Sequence, residues 1–159
     1  MVLCLLLTAV LLSSACAEIV NFAPNYRHGL RLEYDEEMFT LEDTFDENGE
    51  VHFTYDGETA LPVYMTIHCY YDADQADVDW EITSAFEREG RDAIIGNYLD
   101  AMGYYDTSDE GGIERRRYVY IFSFLEDVFA VDIYEYEGIP ENVSSAVSTI
   151  LNSLELGGA

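Results

Sequence analysis

Residues 115–124, RRRYVYIFSF, and residues 128–137, VFAVDIYEYE, decide the fold. Both alternate at the period of a strand, and both are rich in aromatic and β-branched side chains. Glu126-Asp127 between them reads as a two-residue turn, which predicts a hairpin in which facing residues sum to 253. Phe124 would then meet Phe129, Phe122 would meet Val131, and Tyr120 would meet Ile133 on one apolar face. Arg116 would meet Glu137 on that face, and such pairs are worth about 0.2–1 kcal/mol each.

Upstream, Pro62 to Tyr71 is a second clear strand. Val63, Met65, Ile67, Cys69 and Tyr71 share one face, and Tyr64, Thr66, His68 and Tyr70 share the other. Val51 to Tyr55 alternates as well and is closed by Asp56-Gly57. Asp46-Glu47-Asn48-Gly49 is a turn signal. Leu30 to Tyr34 and Met38 to Leu41 read as short strands around a turn at Asp35-Glu36-Glu37. Between the two strong strand regions the spacing changes. Val78, Ile82, Ala85, Phe86, Ile95, Tyr98, Leu99 and Met102 recur at helical intervals. This predicts a long central helix, N-capped by Asp74 or Asp77, with Gly90 as a kink and Gly103 at C′. Tyr104 to Asp106 reads as a short strand before a loop at Ser108 to Gly112.

Downstream, Gly138 ends the hairpin and Pro140 suits a first helical position. Val143, Val147, Ile150, Leu151 and Leu154 form an amphipathic stripe, and Leu154-Glu155-Leu156 reads as a last strand or a frayed end. The whole is an α+β expectation: an antiparallel sheet with a long central helix and a C-terminal helix packed on it.

The chain has 159 residues, of which 49% are hydrophobic and 25% charged, which suits one globular domain. Its charge is extreme, at −25, with 32 acidic residues against 7 basic ones, every one of them Arg. Nucleic acid and anionic headgroups repel such a chain, so DNA, RNA and polybasic membrane docking are excluded. Acid bias of this kind also marks halophilic and some secreted proteomes. Of Cys4, Cys16 and Cys69, only Cys69 lies in the main body, so no internal disulfide framework is expected.

Val2 to Leu12 is apolar except for Thr8 and too short to span a bilayer. It has the length of a signal-peptide core followed by small residues. Leu12-Ser13-Ser14-Ala15-Cys16 resembles the lipobox of bacterial lipoproteins, with Ser13 where Leu is usual. The resemblance implies a signal peptide over 1–15, lipidation of Cys16, a tether over 16–29 and a domain over 30–156. The competing site, Ala15-Cys16-Ala17, would be cleaved after Ala17 and release a soluble protein. No basic residue precedes Arg27 on either reading.

Further patterns join the lipobox: Leu32-Glu33-Tyr34-Asp35 with Met38-Phe39, the expected central helix, a Gly-Gly loop, Arg117-Tyr118-Val119-Tyr120-Ile121, and Ile150-Leu151-Asn152-Ser153-Leu154. Together they resemble small bacterial lipoproteins of the PsbP/Mog1-like fold. That resemblance implies an α/β/α sandwich with binding or accessory duty, without catalysis and without a cofactor.

Candidate chemistry is sparse. Asp72, Asp74, Asp77 and Asp79 form an acidic segment of the type that holds Ca²⁺, but Ala76 and Asp77 stand where an EF-hand needs Asp and Gly. A solvated loop capping a helix is the plainer reading. Glu33, Asp35, Glu36, Glu37, Glu42, Asp43, Asp46, Glu47 and Glu50 form a dense acid region. It suits hydrolase chemistry only where two carboxylates flank a cleft, and otherwise a solvated face. His68 and Cys69 point to opposite faces of a strand and cannot form a nucleophile–base pair, although His28 and His52 remain open as partners. Cys69 reads as a buried small hydrophobe. Arg115, Arg116 and Arg117 are the one basic cluster, suited to gripping an anion or to neutralising neighbouring Glu. Tyr64, Tyr70, Tyr134 and Tyr136 share a sheet parity and form the candidate binding surface. Asn142-Val143-Ser144 fits a sequon that carries no meaning in a bacterial lipoprotein. The sequence therefore predicts an exported, lipid-anchored, monomeric, non-enzymatic binding protein on the extracytoplasmic face of a cell membrane. Its partner would be a protein or the envelope, and calcium-dependent binding is the alternative.

Overall fold

A computed structural model describes residues 19–157, apart from residues 46, 48, 75–89 and 98. Strands account for 57% of the described residues. In chain order they are β1 (Ile19–Phe22), β2 (Leu30–Asp35), β3 (Phe39–Asp43), β4 (Glu50–Tyr55), β5 (Tyr64–Tyr70), β6 (Arg91–Ile95), β7 (Leu99–Glu110), β8 (Ile113–Phe124), β9 (Asp127–Tyr136) and β10 (Glu155–Leu156). One helix, α1 (Glu141–Ser153), lies among the described residues.

All pairings are antiparallel. The large sheet has the order β3-β4-β5-β9-β8-β7-β6, and the small one has the order β1-β2-β10. The large sheet is two meanders that meet in the middle. β3 to β5 run inward from one edge, and β6 to β9 run inward from the other until β9 pairs with β5. Its core face carries Val51, Phe53, Met65, Ile67, Phe129, Val131 and Phe122, all buried. The small sheet closes over that face. Leu30 and Leu32 join the same core, and the Tyr34 ring lies 5.4 Å from that of Phe53. α1 adds Val143, Val147 and Ile150, followed by Leu154, as its stripe directs. On the opposite face Val119, Ile121, Val128 and Ala130 form a second, smaller buried cluster.

The expected α+β arrangement with a long central helix is overturned. Residues 91–95 and 99–110 are the strands β6 and β7, and Gly103 sits in mid-strand under Tyr120 instead of ending a helix. The misleading signal has a simple origin. Ile95 and Leu99 are paired across a tight turn. Residues four apart share a face in such a turn just as they do on a helix. The remaining helical positions, Val78, Ile82, Ala85, Phe86 and Tyr98, lie outside the described residues, as do Asp77, Asp79, the apolar leader and Cys16.

Three smaller differences follow. The β8–β9 register sums to 251 and not 253, because Leu125 and Glu126 form the turn and Asp127 already belongs to β9. Phe122 therefore faces Phe129, with stacked rings 5.0 Å apart, and Tyr120 faces Val131. The short strand and loop expected over residues 104–112 are the long hairpin β7–β8, turned by Gly111 and Gly112 at φ +68° and +87°. Residues 19–29, expected as a tether, are built into the fold. β1 pairs with β2, and Tyr26 is a core residue.

Candidate binding site on the large sheet

The expected tyrosine surface splits in the structure. Tyr64 on β5 and Tyr134 on β9 are direct cross-strand partners, and their rings stack at 4.6 Å. Tyr70 lies on the same face but packs against the second apolar cluster. Tyr136 is buried in the main core and is not part of any open surface. Of the four expected residues, two therefore form a platform.

β8 brings two arginines to that platform, because Arg117 pairs with Tyr134 and Arg115 with Tyr136. The Arg115 guanidinium carbon lies 4.9 Å from the Tyr134 ring centroid and 5.8 Å from that of Tyr64. Arg117 lies 5.2 Å from the Tyr134 ring. A cation within about 6 Å of a ring face is attracted by the ring quadrupole. Arg117 is held in place by Asp132, its Nε donating at 2.9 Å and its Nη2 at 2.6 Å. That pairing raises the Arg117 pKa further. Arg115 donates from Nη1 to Glu110 at 2.5 Å, while its buried Nε finds no acceptor among the described residues. His52 and Thr66 extend the band, sharing a 2.6 Å hydrogen bond, with the His52 ring 5.5 Å from Tyr64. Burial raises the pKa of both Tyr64 and Tyr134, so both phenols are neutral donors at physiological pH. The site is thus two flat rings, two fixed cations, a His–Thr pair and a few hydroxyls. Arg116 turns to the core face, where it pairs with Glu114 at 2.9 Å and still reaches Glu137 at 3.8 Å.

The other candidates separate. Cys69 is buried, and burial pushes its thiol up to about 12, so it is an inert hydrophobe. His68 faces Glu50 at 3.6 Å, on the opposite side of β5 from Cys69. Asp72 is bound by Arg27 Nη2 at 3.0 Å, and that contact lowers its pKa. Among the described residues, no three His, Cys, Asp or Glu side chains converge in a way that would hold a metal ion. Within the dense acid region, Asp35 and Asp43 accept backbone N–H groups of Glu37 and Phe45 at 2.9 and 3.1 Å, which makes them turn caps.

The sequence did not point to a buried cluster at the far end of β9. The Asp127 side chain has no exposed surface and accepts hydrogen bonds from the Tyr26 hydroxyl, the Arg27 guanidinium and the Asp72 N–H. His28 Nε2 lies 3.7 Å from the same carboxylate. The usable signal was Tyr26-Arg27-His28 between Pro24 and Gly29, since a tether has no use for three adjacent large polar rings and forks.

No family model matches the chain, and no curated protein does. Among solved structures, the chain is similar to a protein of Bacteroides thetaiotaomicron, with a TM-score of 0.52 at 13% identity. The match covers 80% of this chain and 44% of that protein, so the chain spans less than half of its length. At that identity the likeness concerns the fold alone.

Proposed function

We propose that the protein is a non-enzymatic binding module, exported and tethered by a lipid on Cys16. Its Tyr64–Tyr134 platform would contact a protein or polymer of the cell envelope. The carrying observation is the stacked tyrosine pair flanked by Arg115 and Arg117 on an outward sheet face. Tyrosine and arginine supply large contact area with few rotors to freeze, which is why they dominate binding hot spots. The lipobox-like Leu12 to Cys16 supports the tether, and a multiply acylated Cys supplies the anchoring that one short acyl chain lacks.

Radical footprinting of the protein in native membranes, set against the purified full chain, tests the surface. Tyr64 and Tyr134 should be modified more slowly in the membrane, while Tyr105 on the opposite face should be unchanged. Equal labelling of all three in both preparations would remove the platform as a contact site. Cys16→Ser, followed by fractionation, tests the tether separately: the variant should leave the membrane fraction.

A further inference from the structure

We propose, resting on the platform reading above, that the ligand of the tyrosine pair is an uncharged polysaccharide laid across the strands and held by a row of hydroxyl-bearing side chains. The registers align one polar side chain from each of six neighbouring strands. Thr40 on β3 faces Thr54 on β4, which faces Tyr64 on β5. Tyr64 faces Tyr134 on β9, Tyr134 faces Arg117 on β8, and Arg117 faces Asp106 on β7. Facing residues stand on the same side of a sheet, so these side chains form one line at right angles to the strands. All of them are at least partly exposed. Tyr64 and Tyr134 lie at the opposite end of the β5–β9 pair from Tyr70 and Val128 of the second apolar cluster. Strands lie about 4.8 Å apart, so the line offers a hydrogen-bonding group at about that interval, close to the length of one sugar ring in an extended glycan.

Charge favours an uncharged ligand. The net charge of −25 repels a polyanion from a distance. Each arginine at the platform is answered by an acid, Arg115 by Glu110 and Arg117 by Asp132, so no net positive charge remains to hold an anion. The same two guanidinium groups sit against the tyrosine rings and repel a polycation at contact. The surface chemistry then selects hydroxyls. Tyr134 stacks on Tyr64 and is also met by Arg117, and the His52 ring flanks Tyr64 at 5.5 Å, so the ring faces are already engaged. A ligand meets the ring edges and the two phenol hydroxyls, neither of which makes a hydrogen bond among the described residues. The hydroxyls of a sugar both donate and accept, and they fit the phenols, Thr54 and the Arg117–Asp132 fork alike. A protein hot spot would insert an anchor into a desolvated pocket, which engaged ring faces do not offer.

The probes are laminarin, hydroxyethylcellulose, dextran and mannan, each titrated into the isotopically labelled full chain in detergent and followed by amide NMR. Polygalacturonate and oligolysine are the charged controls. One or more of the uncharged polymers should shift the amides of Thr54, Tyr64 and Tyr134, and neither control should. The double variant Tyr64→Phe, Tyr134→Phe keeps both rings and loses both hydroxyls, so it should bind about tenfold more weakly at unchanged Tm. Undiminished binding by that variant would overturn the hydroxyl row. No shift with any of the four polymers, shifts confined to other strands, or stronger shifts with a charged control would overturn the polysaccharide. These failures are distinct from failure of the platform itself. If another partner covers it, Tyr64 and Tyr134 stay protected from radicals in native membranes, whereas equal labelling there removes both readings.

Discussion

Arg27 and Asp127 close the fold across a hundred residues of chain. The Asp127 side chain is fully buried at the start of β9, and the Arg27 guanidinium donates to both its oxygens. Tyr26 and the Asp72 N–H complete its hydrogen bonding, so one carboxylate joins the N-terminal segment, the end of β5 and the β8–β9 hairpin.

Removing the cation should expose how much this clasp holds. Arg27→Ala leaves a buried charge short of its partner, which costs about 3–5 kcal/mol when both members are buried. Arg27 is 37% exposed, so solvent takes over part of that interaction, and a clear drop in urea midpoint is expected. Burial alone would raise the Asp127 pKa, but Arg27, Tyr26 and the Asp72 N–H outweigh it and hold it below the ordinary carboxylate value. A depressed carboxylate contributes stability that is fully present above the unfolded pKa, about 3.9, and is lost as pH falls toward the folded one. Tm should therefore fall steeply below about pH 4, and Asp127→Asn should flatten that limb. An unchanged acid limb in the variant would show that other carboxylates govern it.

Gly96 separates a hairpin from a helix by the sign of one substitution. In an exposed helix interior, Gly→Ala stabilises by about 1 kcal/mol. In the structure Gly96 has φ +54°, and an added Cβ would lie 2.0 Å from the Leu154 carbonyl oxygen, which also accepts the Asn97 N–H. Gly96→Ala should destabilise by about 2 kcal/mol or more, because backbone must move at a strained φ. A gain in Tm would reinstate the helical reading of residues 91–102.

The sequence carried the strands well where one face was apolar and the other polar. Val51 to Tyr55, Pro62 to Tyr71 and the β8–β9 pair were legible for that reason. The region from Arg91 to Glu110 was not, since residues 105–110 are exposed at both parities and its alternation is diluted by Ala93, Ala101 and Gly103. At the site, parity grouped Tyr64 with Tyr134 correctly. It could not show that Tyr136 is buried with the main core. Asp127 was misread because an acid beside a Glu looks like a solvated turn, and only the distant Arg27 makes its burial affordable.

Leu125 tests the corrected hairpin register. It is 70% exposed at φ +55°, a conformation that costs a branched L-residue about 1–2 kcal/mol. Asn enters this region far more easily, and two-residue hairpin turns favour it. Leu125→Asn should stabilise by about 0.5–1 kcal/mol with no lost contact to offset it. If Glu126-Asp127 formed the turn instead, Leu125 would be an ordinary strand residue and the same change would be neutral or destabilising.

Glu135 offers the opposite pH signature to Asp127. It is buried on the core side of β9 beside Tyr118 and Tyr120, and its neighbour Arg116 is engaged by Glu114. Desolvation raises its pKa, against a weak 3.5 Å hydrogen bond from Ser144 Oγ and the charge of Arg116. A raised carboxyl favours the folded state only while it stays protonated. Its contribution is complete below the unfolded pKa, about 4.3, and is lost as pH climbs through the folded value. Glu135→Gln keeps the size and one acceptor oxygen but never ionises. The variant should match the wild type near pH 4 and exceed it at pH 7 in urea midpoint, with the gap opening between. A gap that is constant with pH would assign the effect to packing, and a variant weaker at pH 7 would mean that the Arg116 attraction outweighs burial.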